Sequence, residues 1–282
     1  MKNGLAIWHY PHRSVLENVA FFAEQGFESV SILGYHMDQV CSDEQQSEAL
    51  ARLIADKGLV LTVHHKLPLD HSEESVASFH ATIDRFAAWQ SKYKCLSVLS
   101  FDVLEPIRDC ITAYVDYVLE KVPVSKIALE DFGLTSAERQ QIEHLKSNAR
   151  FGFLLDIGHM NIRLHGKRQE GERLMLNSPD ECPATDHPTA ENFLQAFRSK
   201  EFPIFEIHLH NNDGITDMHY FLDDGILDVQ IIADVLKEIA YDGILTIESA
   251  PGFMFPCAYP DSDRRIVETY AIWKQCLSKA FD

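Results

Sequence analysis

The feature that most constrains this chain is a strand-like segment followed by a helical segment, repeated eight times. Short apolar, β-branched segments alternate with longer segments of helical periodicity. Alternation of this kind is typical of a parallel sheet whose strands are connected by helices. It predicts an α/β fold, a (β/α)8 TIM barrel, with the strands inside and the helices outside. The predicted strands are Leu5–His9, Ser29–Leu33, Leu59–His65, Cys95–Phe101, Lys126–Glu130, Phe151–Asp156, Ile204–His210 and Ile244–Glu248.

The alternative architecture is a doubly wound open sheet. Such a sheet binds nucleotides through a glycine-rich turn after its first strand, and Trp8-His9-Tyr10-Pro11 stands there instead. No low-complexity linker divides the chain, so residues 1–282 are predicted to form a single barrel domain. Two long connections, at about 161–188 and 251–261, follow predicted strands. In a barrel they would lie over the active-site face as functional loops.

The charge of the chain disfavours one class of partner. With 25 basic and 43 acidic side chains the net charge is −18, and 46% of the residues are hydrophobic. This apolar content is enough for a folded core. A protein that grips nucleic acid needs a basic surface, because its cations replace the counterions of the phosphates. Nucleic acid is therefore an unfavourable partner for this chain.

Cellular location is predicted from what the sequence lacks. No apolar segment reaches the roughly 18 residues that a transmembrane helix needs, and the first residues do not form a signal peptide. The six cysteines are scattered, without a C-x-x-C pair. Scattered cysteines are typical of reduced thiols, so we expect a cytoplasmic protein with no membrane partner.

Acidic side chains and an imidazole end the last four predicted strands. They are Glu130, Asp156, His208 and Glu248. Strand ends of a barrel converge on one face, so these four residues are expected to meet there. Together they form a mixed nitrogen and oxygen ligand set that suits Mn²⁺, Zn²⁺ or Mg²⁺. Without a cation, so many carboxylates would resist ionising together.

A second set of residues has two interpretations, a second metal site or a site for a polar substrate. It contains His64, His65, His159, Asp217 and His219, and the spacing does not choose between His64 and His65. Further substrate-binding candidates lie at the ends of the first and seventh strands: Trp8, His9, His210 and Asn211.

Two further carboxylates, Asp131 and Glu206, are expected to lie behind the site and to support its residues. Asp131 follows Glu130 directly and so faces the opposite side of the strand. Glu206 has the same parity as His208 and lies deeper in the barrel, as a partner of the site.

These motifs resemble those of a known family. Asp156-Ile157-Gly158-His159 looks like its D-x-G-H element, and the stretch from His208 to Asp228 looks like its H-L-H-D-N-D-G … D-x-H … G-x-G-x-I-D stretch. With Glu130 and Glu248 added, the chain resembles the xylose isomerase-like barrel superfamily, most densely from about 126 to 250. That superfamily joins sugar isomerases and epimerases with endonuclease IV-type apurinic endonucleases (AP endonuclease family 2).

The resemblance implies roles for the matching residues. Glu130, Asp156, His208 and Glu248 match the shared metal ligands, and the two glutamates match the acid and base of the epimerase branch. His159 matches a residue that contacts substrate in the sugar branch and, in the endonuclease branch, joins a further zinc with Asp217 and His219.

The chain departs from the family pattern in two places. Ser100-Phe101-Asp102 stands where the endonuclease branch has a metal-binding histidine, and Asp102 is a candidate substitute. Asn211 stands where many relatives have aspartate.

The leading prediction is a metal-dependent isomerase, epimerase or dehydratase acting on a small, sugar-like carbonyl compound. One of Glu130 and Glu248 would remove the proton next to the carbonyl, and the other would return it to the enediolate. An apurinic endonuclease and a non-catalytic sugar-binding barrel subunit are the alternatives. The aromatic segment Phe253-Met254-Phe255 with Tyr259 either covers the substrate or forms a homo-oligomer contact.

Overall fold

Eight strands form one closed parallel barrel in chain order, in which the first strand pairs with both the second and the last. The computed structural model describes residues 1–7, 13–103, 107–131, 134–165, 185, 187–249 and 261–281. The strands are β1 (Lys2–Ile7), β2 (Ser29–Leu33), β3 (Val60–Lys66), β4 (Leu96–Asp102), β5 (Lys126–Glu130), β6 (Phe151–Asp156), β7 (Ile204–Leu209) and β8 (Ile244–Ile247). The predicted (β/α)8 TIM barrel is confirmed.

Helices connect the strands on the outside of the barrel. They are α1 (Val15–Glu24), α2 (Gly34–Cys41), α3 (Glu44–Lys57), α4 (Glu73–Tyr93), α5 (Ile111–Lys121), α6 (Ser136–Ile142), α7 (Ile157–His165), α8 (Ala190–Arg198), α9 (Val229–Glu238) and α10 (Asp261–Phe281), with a 3₁₀ turn at Glu143–Ser147. None of the described helices combines the length and the apolar composition that crossing a membrane requires.

Helices α1 and α6 begin with reciprocal side-chain caps. The Ser14 hydroxyl accepts the N–H of Glu17, and the Glu17 carboxylate accepts the N–H of Ser14 at 2.8 Å. Thr135 and Glu138 make the same pair of hydrogen bonds at the start of α6. Each pair satisfies backbone donors that the first helical turn leaves unpaired, which fixes where the helix begins.

Some element boundaries differ from the sequence predictions. Strand β1 ends at Ile7, and Trp8 and His9 lie outside the described residues. Helix α7 begins directly after Asp156, so residues 161–165, expected as the start of a long loop, are helical. Of the two expected loops, most of the rest of 161–188 and all of 251–260 lie outside the described residues.

Strand parity divides the interior into two regions. Outward side chains such as Ile207 and Leu209 join the large core between barrel and helices. A second, small apolar cluster lies inside the barrel and includes Phe205, which stands at the register shift of β7: Val98, Ala128, Leu154, Phe205 and Ile244. Towards the carboxyl ends of the strands the inward side chains become polar, and this change places the candidate site.

Candidate metal and active site

The four strand-end residues predicted as metal ligands are all buried at the carboxyl end of the barrel. Glu130 ends β5 and Asp156 ends β6, while His208 lies in β7 beside Asp156 in the register. Glu248 follows β8 directly. Each has an exposed fraction of 4% or less. The barrel thus brings the predicted set to one face. Within this face, His208 contacts Glu248, whereas Asp156 contacts His210.

His208 contacts carboxylates with both ring nitrogens. Its Nδ1 is 3.0 Å from Glu248 Oε2, and its Nε2 is 3.5 Å from Glu206 Oε1. His210, two residues nearer the mouth, has its Nε2 3.1 Å from Asp156 Oδ1. The imidazoles next to the Asp156 carboxylate are therefore His210 and, with Nδ1 at 3.9 Å, His159. The sequence suggested His210 only as a substrate-binding residue.

His210 belongs to a group of four residues whose ligand atoms lie within 4.8 Å of one another: His159, His210, Asp217 and His219. Asp217 lies between two of the imidazoles, with Oδ2 3.0 Å from His159 Nε2 and Oδ1 3.3 Å from His219 Nε2. The rings of His210 and His219 stack at 4.0 Å between centroids. The structure therefore brings together three of the five residues that the sequence assigned to a second metal or to substrate, His159, Asp217 and His219, and adds His210 to them.

Local backbone geometry explains how His159 and His210 reach this group. The N–H of His159, in the first turn of α7, donates to Asp156 Oδ1 at 2.7 Å. At Gly158 an added Cβ would lie 2.0 Å from His210 Cε1, so only glycine leaves room for that ring. The glycine of the D-x-G-H element is thus explained by the close packing of the His210 ring, and His159 is fixed by its backbone hydrogen bond to Asp156.

A third group lies at the ends of β3, β4 and β5. His64 Nε2 is 2.9 Å from Asp102 Oδ1 and 3.3 Å from Glu130 Oε2, and its Nδ1 is 3.0 Å from the Ser100 hydroxyl. Asp102 thus occupies the place beside His64 where the resemblance implied a histidine. These three residues, His64, Asp102 and Glu130, have ligand atoms close enough to hold one cation.

His65 faces away from the site. Its ring packs against Phe79, Phe86 and Phe101 between barrel and helices. Burial is the main reason that the pKa of His65 falls to about 4, and the charge of His64 adds to it. A signal for this choice exists in the sequence, since His65 shares parity with the apolar Leu61 and Val63 while His64 shares it with Thr62.

Asn211 is buried and holds a loop. Its amide donates to the carbonyls of Leu222 at 2.8 Å and Leu227 at 3.0 Å, and its Oδ1 accepts the N–H of Asn212 and of Leu227. With an exposed fraction of 1%, the Asn211 side chain is buried, and these hydrogen bonds shape the β7–α9 loop, which carries Asp217 and His219.

Asp131 also lies behind the site, on the opposite side of the strand from Glu130. Its Oδ2 is 2.6 Å from Lys200 Nζ, and both side chains are almost completely buried. Arg163 of α7 donates to the Asp131 backbone carbonyl at 3.1 Å. The buried ion pair between Asp131 and Lys200 connects the end of β5 to the segment before β7. Sequence reasoning placed Asp131 on the outer face but had no signal for Lys200.

Charges in the site are arranged so that every imidazole lies beside a carboxylate. Burial alone would lower the pKa of His64 and of His159, but adjacent carboxylates outweigh it and raise both well above the usual range. The same balance raises the pKa of His208 to about 10 and that of His219 to about 9. Burial and the Asp102 charge raise the pKa of Glu130 to about 7.

The donor set fits a divalent metal ion. Imidazole nitrogens and carboxylate oxygens of three groups converge within ligand distance, and Asp156 Oδ2 is buried without a hydrogen-bond donor among the described residues. Buried polar atoms of this kind normally have a partner, which a cation supplies. Two further sets of ligand atoms lie equally close together: Glu130 and Asp156 with His159, and Glu248 with His64 and His208.

One exposed group stands apart. His71, Asp109 and Cys110 lie close together, but His71 contacts Asp109 through Nε2 and Cys110 through Nδ1. Because the two nitrogens point in different directions, these contacts do not converge on one point.

The fold is a TIM barrel, because eight parallel strands close into one barrel. Its site consists of carboxylates and imidazoles at the strand ends, the residue types that bind metal ions. The sequence model of the xylose isomerase-like TIM barrel family matches residues 19–253, and the chain belongs to this family. The resemblance inferred from the motifs is confirmed.

Solved structures with the same fold cover nearly the whole chain. A D-tagatose 3-epimerase-like protein is 18% identical with a TM-score of 0.68, over 99% of this chain and 98% of that one. The 3-keto-D-glucoside 4-epimerase of E. coli is 17% identical with a TM-score of 0.67, over 98% and 100%. The IOLI protein with a bound zinc atom is 13% identical with a TM-score of 0.64, over 100% of both chains.

A relative found by sequence is an uncharacterised protein of Methanocaldococcus jannaschii. It is 25% identical over 131 residues, which cover 44% of this chain and 36% of that protein.

Proposed function

We propose that the protein is a metal-dependent sugar isomerase or epimerase. Its substrate is a small sugar or polyol-like carbonyl compound. The enzyme removes the proton next to the carbonyl, and this step forms an enediolate. The observation that carries this proposal is a chain of contacts that joins two glutamates from separated strands.

Glu130 ends β5 and Glu248 follows β8, with two strands between them in the barrel. His159 Nδ1 is 3.0 Å from Glu130 Oε1, and His219 Nδ1 is 3.7 Å from Glu248 Oε2. Asp217 contacts both imidazoles on their other nitrogens. Two carboxylates that reach one space from different sides are the arrangement needed to remove and return a proton.

We assign Glu130, Asp156 and Glu248 as metal ligands, with one of His208 and His210 as the imidazole. His208 Nδ1 lies 3.0 Å from Glu248 Oε2, and His210 Nε2 lies 3.1 Å from Asp156 Oδ1. A divalent ion held by these residues supplies a Lewis acid that polarises the substrate carbonyl.

The remaining steps belong to side chains of the site. One of Glu130 and Glu248 takes the proton from the carbon next to the carbonyl, and the other returns a proton to it. His159 and His219 lie beside these carboxylates and bind substrate hydroxyls. The low exposure of the site limits the access of water to the enediolate.

The relatives support a sugar substrate. Two similar structures carry epimerase names, a D-tagatose 3-epimerase-like protein and a 3-keto-D-glucoside 4-epimerase. A third holds zinc, which supports a metal in this family of barrels. The net charge of −18 favours a small substrate over a nucleic acid.

The proposal is tested by proton exchange with solvent, which does not require the product to be known. The purified protein is freed of metal with a chelator, reloaded with Mn²⁺, Zn²⁺ or Mg²⁺, and incubated in D2O with a panel of ketoses and aldoses. We expect metal-dependent deuterium incorporation next to the carbonyl of at least one sugar, detected by NMR. Sugar binding that is unchanged by metal removal, without exchange, would instead indicate a non-catalytic barrel.

An apurinic endonuclease is the second candidate, favoured by the two additional groups that can hold cations. These are His64, Asp102 and Glu130 on one side and His159, Asp217 and His219 on the other. An incision assay on an abasic DNA duplex with metal titration separates the two functions. Cleavage there, with no exchange into any sugar, would overturn the isomerase proposal.

A further inference from the structure

One lysine at the mouth of the barrel has no carboxylate partner among the described residues. Lys66 is the last residue of β3, and its side chain is exposed. The groups of possible metal ligands nearby consist of carboxylates and imidazoles, in a chain whose net charge is −18. A lysine is therefore an exception to the local pattern, and the side to which it points indicates what it can bind.

Strand parity directs Lys66 to the same side as the candidate site. His64, two residues earlier in β3, has its Nε2 3.3 Å from Glu130 Oε2, and Thr62, two residues before that, donates its hydroxyl hydrogen into the lumen. Alternate residues of a strand share one face, so Lys66 lies on this face as well. It also pairs in register with Asp102 of β4, whose Oδ1 is 2.9 Å from His64 Nε2.

Lys66 lies farther towards solvent than the candidate metal ligands. Two residues of a strand span about 7 Å, so Lys66 begins roughly this far beyond His64 in the direction of the mouth. A sugar whose carbonyl is held at the metal site would extend its other end towards the mouth, where the ammonium group of Lys66 is within its reach.

Arginines at the same end of the barrel have their charges compensated within the protein. Three of them lie near the starts of helices, where carboxylates hold them: Arg13 by Asp263, Arg108 by Glu138, and Arg265 by Asp223 and Asp224. In the part of the chain that the structure describes, no carboxylate lies within ion-pair distance of Lys66. Lys66 is thus free to bind an anionic group that comes from solution.

The charge of Lys66 also acts on the site. Burial opposes ionisation of Asp102, but the adjacent His64 outweighs burial, and Lys66 adds to the lowering of the Asp102 pKa. Lys66 is therefore close enough to attract a negative charge in the space above the site.

We propose that Lys66 is a specificity-determining residue that binds an anionic group, a carboxylate or a phosphate, at the end of the substrate opposite its reacting carbonyl. A lysine ammonium binds either group as a point charge with three donors. The substrate is then a sugar acid or a sugar phosphate. The position of the carbonyl rests on the proposed function, whereas the preference for an anion is measured by binding alone.

The test compares matched neutral and anionic sugars in binding to the Mn²⁺-loaded protein, by isothermal titration. One series is D-fructose, D-fructuronate and D-fructose 6-phosphate, which differ in their terminal group, and equivalent series cover a ketopentose and an aldohexose. We expect at least one anionic sugar to bind about 10-fold or more tightly than its neutral counterpart, the effect of a hydrogen bond between charged groups. This preference should decrease as NaCl is added. Whether the uronate or the phosphate is preferred identifies the anionic group.

Variants of Lys66 determine whether this residue causes the preference. Lys66→Gln should weaken binding of the anionic sugar by about 10-fold and leave the neutral sugar within about twofold. Lys66→Arg keeps the charge and should retain most of the affinity for the anion. Lys57→Gln, on an exposed side chain at the end of α3, is the matched control and should have no effect. An anionic sugar that binds Lys66→Gln with unchanged affinity, as it would if the metal held its anionic group, would overturn the proposal.

Deuterium exchange separates the role of Lys66 from the proposed function. Exchange into neutral and anionic sugars with equal kcat/KM would support the isomerase and overturn the role of Lys66. Binding of no anionic sugar in any series would also overturn that role. Anion binding that depends on Lys66, without exchange into any sugar, would support the role of Lys66 and contradict the proposed function.

Discussion

The Glu130 carboxylate lies 3.0 Å from His159 Nδ1, and this contact joins the end of β5 to the first turn of α7. The other ring nitrogen of His159 is 3.0 Å from Asp217, which lies in the β7–α9 loop. One imidazole therefore connects three separate parts of the chain. This is why the groups of possible metal ligands, each small by itself, form a continuous site.

Replacing either candidate acid–base residue should stop turnover of the sugar identified by the exchange assay. Glu130→Gln and Glu248→Gln remove the groups that accept and return the proton, and general acid–base catalysis of this kind contributes about 100- to 10,000-fold. Deuterium exchange and kcat are the measurements. Glu143→Gln, on an exposed side chain, is the matched control and should be fully active. Substantial activity in both site variants would exclude the assigned roles.

Metal removal should lower the thermal stability of the protein. A ligand that binds only the folded state stabilises it by about 2.7 kcal/mol at a concentration 100 times its dissociation constant. Elemental analysis should find bound metal, and chelation should lower Tm until Mn²⁺ or Zn²⁺ is restored. One tightly bound metal per chain supports the isomerase, whereas three support the nuclease. A Tm that does not respond to chelator or metal would contradict a metal site.

Gly158→Ala should disturb the metal site more than the fold. An added Cβ would lie 2.0 Å from His210 Cε1, so the ring must move away from Asp156. We expect Mn²⁺ affinity to fall by about 10-fold or more, as for loss of a well-oriented ligand. The control is Gly58→Ala at the end of α3, where φ is +63° and no atom lies within 4 Å.

Gly58→Ala should cost about 1 kcal/mol through its left-handed backbone and leave metal affinity unchanged. Isothermal titration with Mn²⁺ and urea unfolding of both variants make the comparison. Equal metal affinity in the two variants would remove His210 from the ligand set.

Asn211→Asp should destabilise the protein even though the two side chains have nearly the same size and shape. The carboxylate has no donor for the buried carbonyls of Leu222 and Leu227. An unsatisfied buried acceptor costs about 1–3 kcal/mol, which urea unfolding would measure. Asn148→Asp is the control, because its Oδ1 only accepts the N–H of Arg150. Equal stability of the two variants would mean that Asn211 does not hold the loop.

The stability contribution of Glu138 should depend on pH. Burial opposes its ionisation, but Arg108 and the Thr135 N–H outweigh burial and lower the pKa of Glu138 below the ordinary value of 4.5. The charged form therefore stabilises the fold at pH values above about 4.5, and this contribution is lost as the pH falls through the lowered pKa.

Glu138→Gln should accordingly reduce the free energy of unfolding by about 1–2 kcal/mol at pH 7, with a smaller difference at pH 3. Urea unfolding at both pH values is the measurement. Glu143→Gln, with its exposed Lys146 pair, should show a difference near zero at each pH. A Glu138→Gln effect that is the same at both pH values would contradict the role of its charge.

The order of strands and helices determined the barrel, and the positions of Glu130, Asp156 and Glu248 determined where its site lies. Both follow from local pattern: alternation sets the fold class, and the carboxyl ends of parallel strands share one face. The family motifs could also be identified directly in the sequence, because they depend on residue types at fixed spacing.

Only the tertiary structure decided which imidazole reaches which carboxylate. Neighbouring residues such as His64 and His65 face opposite sides, and barrel closure with its register settles which side is the lumen. Which residues of β7 lie level with Asp156 depends on the stagger between β6 and β7, which includes a register shift. The Asp131–Lys200 ion pair joins residues far apart in the chain, so no local pattern contains it.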